Sequence, residues 1–210
     1  IYFKGDWEYE FDKELTKELP FWINKNKKVM VPMMYQKDRF KYSKHEDYQM
    51  LELAYTGKEL SMFIFLPNEI DGLSKLEKKL KDILFTYSNQ FAHQKMVEVY
   101  LPKFEFTQRF VLNKKLETLG MKDAFIISNA DFSGITGNKK LFIHNIIHKA
   151  YVKVDEQGTE AAAATAVLMA ESAEIEEPIF KADHPFIFLV RDNETGSILF
   201  IGRIVDPLDK

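Results

Sequence analysis

"VDEQGTEAAAATAVLMAESAEIEEP", residues 154–178, lies between two segments with strand character, and its reading decides the fold. Four consecutive alanines, Ala161–Ala164, fill its middle. A strand prefers β-branched and aromatic residues, and a loop prefers Gly, Pro, Asn and Asp. This stretch follows neither rule. In one reading, Thr159 caps an exposed, Ala-rich helix that starts at Glu160 and ends near Ser172. In the other, the period is two: Thr159, Ala161, Ala163, Thr165, Val167 and Met169 form an uncharged row beside Glu160, Ala162, Ala164, Ala166 and Leu168. Gly158 supplies the freedom to reverse the chain just before it. A row so small and uncharged can slide into a sheet without displacing large core side chains. The residues therefore permit both an exposed segment and an inserted strand, which is the property of a switch.

Around this stretch the chain has an ordinary globular balance. Its 210 residues are 46% hydrophobic and 29% charged, enough for one sizeable core and without a disorder signature. A net charge of −3 gives no reason to expect nucleic acid. There is no cysteine, which excludes disulfides, thiolate metal sites and thiol nucleophiles and fits a reducing cytosol without excluding secretion. Apolar runs such as Met62–Leu66 and Phe186–Val190 are far below the ~20 residues that span a bilayer, so no membrane is expected. The opening "IYFKGDW" has no initiator Met and no signal peptide and reads as a start inside a strand, so the expectation is the later part of a longer protein.

Strand signals surround the central stretch. "KKVMVPMM" carries a proline that argues for an edge or a break. "YQMLELAYTGKELSMFIFLPNE" reads as a hairpin about Thr56-Gly57-Lys58, its second run, Leu60–Leu66, buried on both faces. Residues 71–86 switch to helical spacing, with Leu73, Leu76, Leu80, Ile83 and Leu84 on one side and Lys75, Lys78, Lys79 and Lys81 elsewhere. "MVEVYLPKFEFTQRF" alternates about Pro102, "VLNKKLETLGM" reads as a helix stopped by Gly120, and residues 141–156 form a long alternating segment. "HPFIFLVRD" and "SILFIGRIV" are two strands joined by turn residues Asn193–Gly196. The fold class is α+β, with mostly antiparallel strands.

Chemistry-bearing motifs are few. His144 and His148 form H-x-x-x-H, but at period two they stand ~13 Å apart, too far to share a metal, so a structural role is favoured. "GITGNKK" lacks phosphate-loop spacing and reads as a turn. The lysine-rich face at 75–81 reads as a solvated helix face, which leaves polyanion binding unproven. No nucleophile elbow or Ser/His/Asp order stands out, so no enzyme is expected, and neither a cofactor nor a metal. Asn193-Glu194-Thr195 is a glycosylation sequon in a turn, a weak hint of secretion. The expected location is extracellular, with the cytoplasm as the alternative.

"DEQGTEAAAATA" closely resembles the hinge of the inhibitory serpins, the serine protease inhibitor family. "YFKGDWEYEF", "VPMM", "LPKFEF", "ADFSGIT", "IIHKAYVKVDEQGTEA" and "DHPFIFLVRDNETGSILFIGRIVDP" resemble serpin segments in serpin order. The resemblance covers residues 1–210 and implies the C-terminal portion of a single serpin domain, its N-terminal part absent, with residues 156–179 as the exposed reactive-centre loop. It implies a suicide substrate: a target serine protease cuts the loop, is held as an acyl-enzyme, and the loop inserts into the central sheet.

The same resemblance implies roles residue by residue. Glu156 is the pivot between strand and loop, paired with Lys103 of "LPKFEF". The hinge comprises Gly158, Thr159, Glu160, Ala161, Ala162, Ala163 and Ala164. Trp7 stands where the sheet opens, and His148 in the region that parts below it. Counting from Glu156 puts the reactive bond at Ser172–Ala173; counting back from "DHPF" gives Glu174–Ile175, and Met169–Ala170 is a third position. No Arg or Lys lies between Val154 and Phe180, so an elastase-like or chymotrypsin-like target is expected over a trypsin-like one, whose pocket acid needs a cation. The alternatives are a non-inhibitory serpin (cleaved substrate, carrier or chaperone) and an inactive truncated fragment. Unpaired sheet edges would favour self-association.

Overall fold

A computed structural model describes residues 1–86, 94–158 and 177–209. The strands are β1 (Lys17–Asn24), β2 (Lys27–Lys44), β3 (Tyr48–Ala54), β4 (Leu60–Pro67), β5 (Gln94–Pro102), β6 (Phe104–Val111), β7 (Ile147–Val154), β8 (Ile179–Lys181), β9 (Phe186–Asp192) and β10 (Ile198–Ile204). Among the described residues the α-helices are α1 (Leu73–Thr86), α2 (Asn113–Thr118) and α3 (Ser133–Thr136). The chain divides into a larger unit, Lys4–Glu105 with Lys153–Lys210, and a smaller one, Ile1–Phe3 with Phe106–Val152.

The larger unit is built on an eight-stranded sheet in the order β10-β9-β4-β3-β2-β5-β8, with β1 also paired to β2. All its ladders are antiparallel except β5 with β8. β2 serves three partners in turn along its 18 residues: β1 up to Met33, β5 from Met33 to Lys41, and β3 from Lys41 to Lys44. Pro32, expected at an edge or break, lies within this continuous strand. It pairs with Glu18 of β1 just before the β5 ladder begins, so its missing N–H leaves that ladder intact.

The core follows from the pattern. Seven of eight β4 residues are buried, as expected of a strand covered on both faces. Leu76 and Ile83 of α1 lie buried on Tyr48, Met50, Phe63, Phe65, Ile187 and Leu189, flanked by Leu73, Leu80 and Leu84. The helical spacing of those five apolar residues thus becomes one packed face. Burial of such a side chain contributes about 1.5–3 kcal/mol.

In the smaller unit β6 pairs with β7, and the start of the chain joins them. Tyr2 bridges Tyr151 in parallel, Tyr151 N–H donates to Ile1 O at 3.1 Å, and the two rings stack at 5.6 Å. The long alternating segment proves shorter than its pattern: the strand begins only at Ile147, and residues 141–146 are irregular. Asn113 holds this irregular stretch, its amide donating to His144 O while Ile146 N–H donates to its Oδ1. His144 therefore stands off the strand, and the 13 Å spacing to His148 does not apply.

Candidate functional site

β7 delivers the chain into a tight reversal at Asp155–Gly158. Asp155 and Gly158 exchange both backbone hydrogen bonds, at 3.1 and 3.2 Å, and Asp155 Oδ1 accepts the Gln157 N–H. Lys153 lies 3.1 Å from the Asp155 carboxylate. Gly158 has φ +119° and pairs antiparallel with Asp6. A β-carbon there would sit 2.4 Å from Gly5 O and 2.7 Å from both Asp6 Cα and Trp7 N, so only glycine fits.

Glu156, inside that turn, is 4% exposed. One carboxylate oxygen accepts from Lys103 Nζ at 2.7 Å and the other from Thr16 Oγ1 at 2.9 Å. Its backbone carbonyl accepts from Phe11 N–H at 2.8 Å. Burial alone would raise its pKa, but the Lys103, backbone and Thr16 hydrogen bonds outweigh burial and hold the carboxyl below its ordinary value. Glu156 is thus held at both carboxylate oxygens and at its backbone carbonyl.

Trp7 fixes the same turn from the other side. Its backbone N–H donates to Gln157 O at 3.0 Å, and its indole Nε1–H donates to Asp155 O at 3.0 Å. The ring is buried and stacks on Tyr55 at 4.7 Å, just past the end of β3. Thr56 locks the arrangement by donating its N–H to Asp6 O and its hydroxyl to Trp7 O. Asp6 and Trp7 thus act as a short strand shared between the turn at Asp155–Gly158 and the end of β3.

The chain from Glu177 onward is held separately. Glu98 N–H of β5 donates to Pro178 O at 3.1 Å, and β8 continues the pairing with Glu98–Tyr100. Lys37 of β2 bonds the Glu177 carboxylate, a contact that raises its own pKa, and lies 3.9 Å from Glu98.

Of the residues singled out from sequence, Trp7, Lys103, Glu156 and Gly158 come together here. Thr159, Glu160, Ala161–Ala164 and all three positions for the reactive bond, including Ser172 and Ala173, lie outside the described residues. His148 is on β7, its ring 6.3 Å from that of Phe110. Lys75 and Lys79 share the Asp47 carboxylate, so two of the four lysines of that face are already paired with a single negative charge. Asn193 donates its side-chain amide to Lys58 O at 2.9 Å and to Ser61 Oγ at 2.8 Å. That amide is committed to the fold, and a glycan would have to break one bond to form. Sequence reasoning missed Thr16, Tyr55 and Asp155. Nothing in "LTKEL" marks Thr16 as a carboxylate partner 140 residues away. Among the described residues no group of three His, Asp or Glu side chains is placed to hold a metal ion.

A mixed, largely antiparallel sheet and a turn pinned at Asp155–Gly158, ahead in sequence of the alanine run Ala161–Ala164, are the features a family assignment has to match. The family model for serpins (serine protease inhibitors) matches residues 1–207, and the chain belongs to that family. It is 46% identical to human Serpin B3, over 99% of this chain and 54% of that protein. It is 44% identical to human leukocyte elastase inhibitor, over 99% of this chain and 57% of that protein. The fold matches uncleaved ovalbumin with a TM-score of 0.84 and 30% identity, over 98% of this chain and 52% of that one. A serpin from the trematode Schistosoma haematobium matches with a TM-score of 0.85 and 27% identity, over 99% and 55%. The chain spans about half the length of the relatives it matches. The family is one of protease inhibitors, not enzymes.

Proposed function

We propose that this chain carries the bait loop of a serine protease inhibitor that acts as a suicide substrate, with an elastase-like or chymotrypsin-like enzyme as target. One observation carries the reading: Glu156 is anchored by Lys103 and Thr16 immediately before Gly158 and the uncharged run Ala161–Ala164. A firm pivot followed by an insertable row is what a strand needs in order to swing about one end. Serpin loop insertion is itself an established instance of strand addition and of strain released by cleavage, and that energetic principle is taken from the family. A dozen inserted residues would gain on the order of ten sheet hydrogen bonds at ~1 kcal/mol net each.

The choice of target rests on the loop's chemistry. Ser172–Ala173 offers a small residue to the specificity pocket, and the absence of Arg and Lys between Val154 and Phe180 disfavours a trypsin-like pocket. The name of the relative called leukocyte elastase inhibitor supports the elastase-like half of this reading. The domain assignment follows: residues 1–210 as the C-terminal portion of one serpin domain, with 156–179 as its loop.

Intact-mass analysis after mixing with pancreatic elastase and, separately, chymotrypsin tests the reading. The expected result is a covalent, denaturant-resistant adduct with release of a peptide beginning near Ala173. Cleavage in the loop with free, active enzyme would instead mean a substrate.

A further inference from the structure

We propose that the cavity beside Trp7 in the larger unit is a binding site for a small aromatic monocarboxylate. Its volume is about 430 Å³, within the ~300–1,000 Å³ usual for small-molecule sites. Every residue that lines it belongs to the larger unit. The site does not depend on residues 156–179 acting as protease bait.

The walls select the body of the ligand. Trp7, Phe63 and Tyr9 give the cavity an aromatic lining, the first two buried and Tyr9 45% exposed. The Trp7 ring is stacked on Tyr55 and held by its indole N–H on Asp155 O. It therefore loses little freedom when a second ring settles against it. Trp7 also pins the turn at Asp155–Gly158 through Gln157 O, so an occupant of the cavity is felt at that turn.

The charges select its head group. Arg39, Lys41, Lys58 and Arg191 all line the cavity. Lys41 lies 3.0 Å from Glu52 and Lys58 3.2 Å from Glu8, and both carboxylates are part of the same lining. Arg191 acts on the adjacent Asp192 carboxylate. Four cations against these three carboxylates leave one positive charge. Arg39 carries it: among the described residues no carboxylate lies within ion-pair distance of its guanidinium. A planar guanidinium offers two parallel N–H donors to one carboxylate. A single negative charge on an aromatic body therefore completes the site, whereas a phosphate brings more charge than the lining balances. The competing explanation is a water-filled cleft whose ion pairs only hold neighbouring segments together.

Calorimetry separates the two. Naphthoate and the neutral naphthalenemethanol, each at up to about 1 mM, are titrated into the whole chain, Arg39→Gln and Lys140→Gln. The expected result is that the parent binds naphthoate about tenfold more tightly than the alcohol. Arg39→Gln loses that preference, and Lys140→Gln, altered in the smaller unit, keeps it. Location is read from the two indole N–H signals in a proton–nitrogen correlation spectrum, assigned with Trp22→Phe. Naphthoate is expected to shift the Trp7 signal and leave that of Trp22 in place. No binding of naphthoate, equal affinity for acid and alcohol, or an unmoved Trp7 signal overturns the site. So does a preference that survives in an Arg39→Gln variant with the parent's melting midpoint. If Arg39→Gln does not fold, the difference between acid and alcohol and the Trp7 signal decide.

Discussion

The ammonium of Lys103 lies 2.7 Å from a carboxylate oxygen of Glu156, 53 residues further along the chain. The two ends of this pair are unequal: the Glu156 side chain is 6% exposed and that of Lys103 36%. Removing the lysine strands a buried carboxylate, whereas removing the carboxylate leaves an ammonium that can turn to water. Lys103→Met is therefore expected to destabilise by about 2–3 kcal/mol, below the range for a fully buried pair, and Glu156→Gln by only about 1 kcal/mol. Urea unfolding of both variants checks the order. Equal losses would show that the pair behaves as a surface ion pair.

The same pair predicts an acid limb. Folding lowers the Glu156 pKa below its ordinary 4.5, so the folded state holds this proton less tightly than the unfolded chain. Its contribution is fully present above that value and is lost as the pH falls through the lowered folded value. Stability measured from pH 6 downward is expected to drop less in Glu156→Gln than in the parent. Parallel curves would remove Glu156 from the acid response.

Trp7 is expected to report on the hinge. Its indole is buried, donates to Asp155 O and stacks on Tyr55, while the other tryptophan, Trp22, lies under Lys28 at 5.2 Å. In a Trp22→Phe variant all tryptophan emission comes from Trp7. Cleavage of the loop should change that emission if the turn at Asp155–Gly158 rearranges. A spectrum unaltered by complete cleavage would mean that the turn stays as it is.

How much of this was legible in the sequence depends on the range of each signal. Local periodicity placed α1 and its five apolar residues, and it placed the doubly buried β4, because each pattern is a direct image of one packed face. Alternation overreached at residues 141–146, where Asn113, a residue from a distant part of the chain, takes the backbone bonds a strand would use. Pro32 argues for an edge or a break in the sequence alone, because the sequence does not show that β5 pairing starts one residue later. At the site, Glu156, Lys103 and Trp7 entered through family resemblance, and Gly158 through its chemistry as well. Thr16 and Tyr55 were invisible, because their contacts join segments 140 and 48 residues apart and follow from no local rule.

Asn193 should behave as a structural residue. Its amide feeds a chain of hydrogen bonds: Asn193 donates to Ser61 Oγ, and Ser61 donates to Glu52, which also binds Lys41. Ser61 is fully buried and Glu52 nearly so. Asn193→Ala is expected to cost about 1–3 kcal/mol, the range for a buried acceptor left without its donor. When the chain passes through a secretory host, mass analysis should find this position unmodified. Full glycan occupancy with unchanged thermal stability would reverse that assignment.

Gly158 offers the sharpest test of the hinge geometry. At φ +119° an L-residue is strained by itself, and the β-carbon of alanine would meet three backbone atoms of Gly5–Trp7 within 2.7 Å. Backbone cannot yield as a flexible side chain does, so relief requires the Asp6–Gly158 bridge to open. Opening it also releases the Trp7 N–H from Gln157 O. Gly158→Ala is therefore expected to destabilise by about 2–4 kcal/mol and to speed proteolysis of the loop, because the turn that pins the loop's base is what breaks. Limited proteolysis beside urea unfolding separates this from a general loss of packing. Gly57→Ala, also at positive φ but with open space around its β-carbon position, is expected to cost only about 1 kcal/mol and leave the loop's cleavage rate unchanged. Equal effects at the two glycines would mean that strain at φ alone, and not the close approach to Gly5–Trp7, governs the hinge.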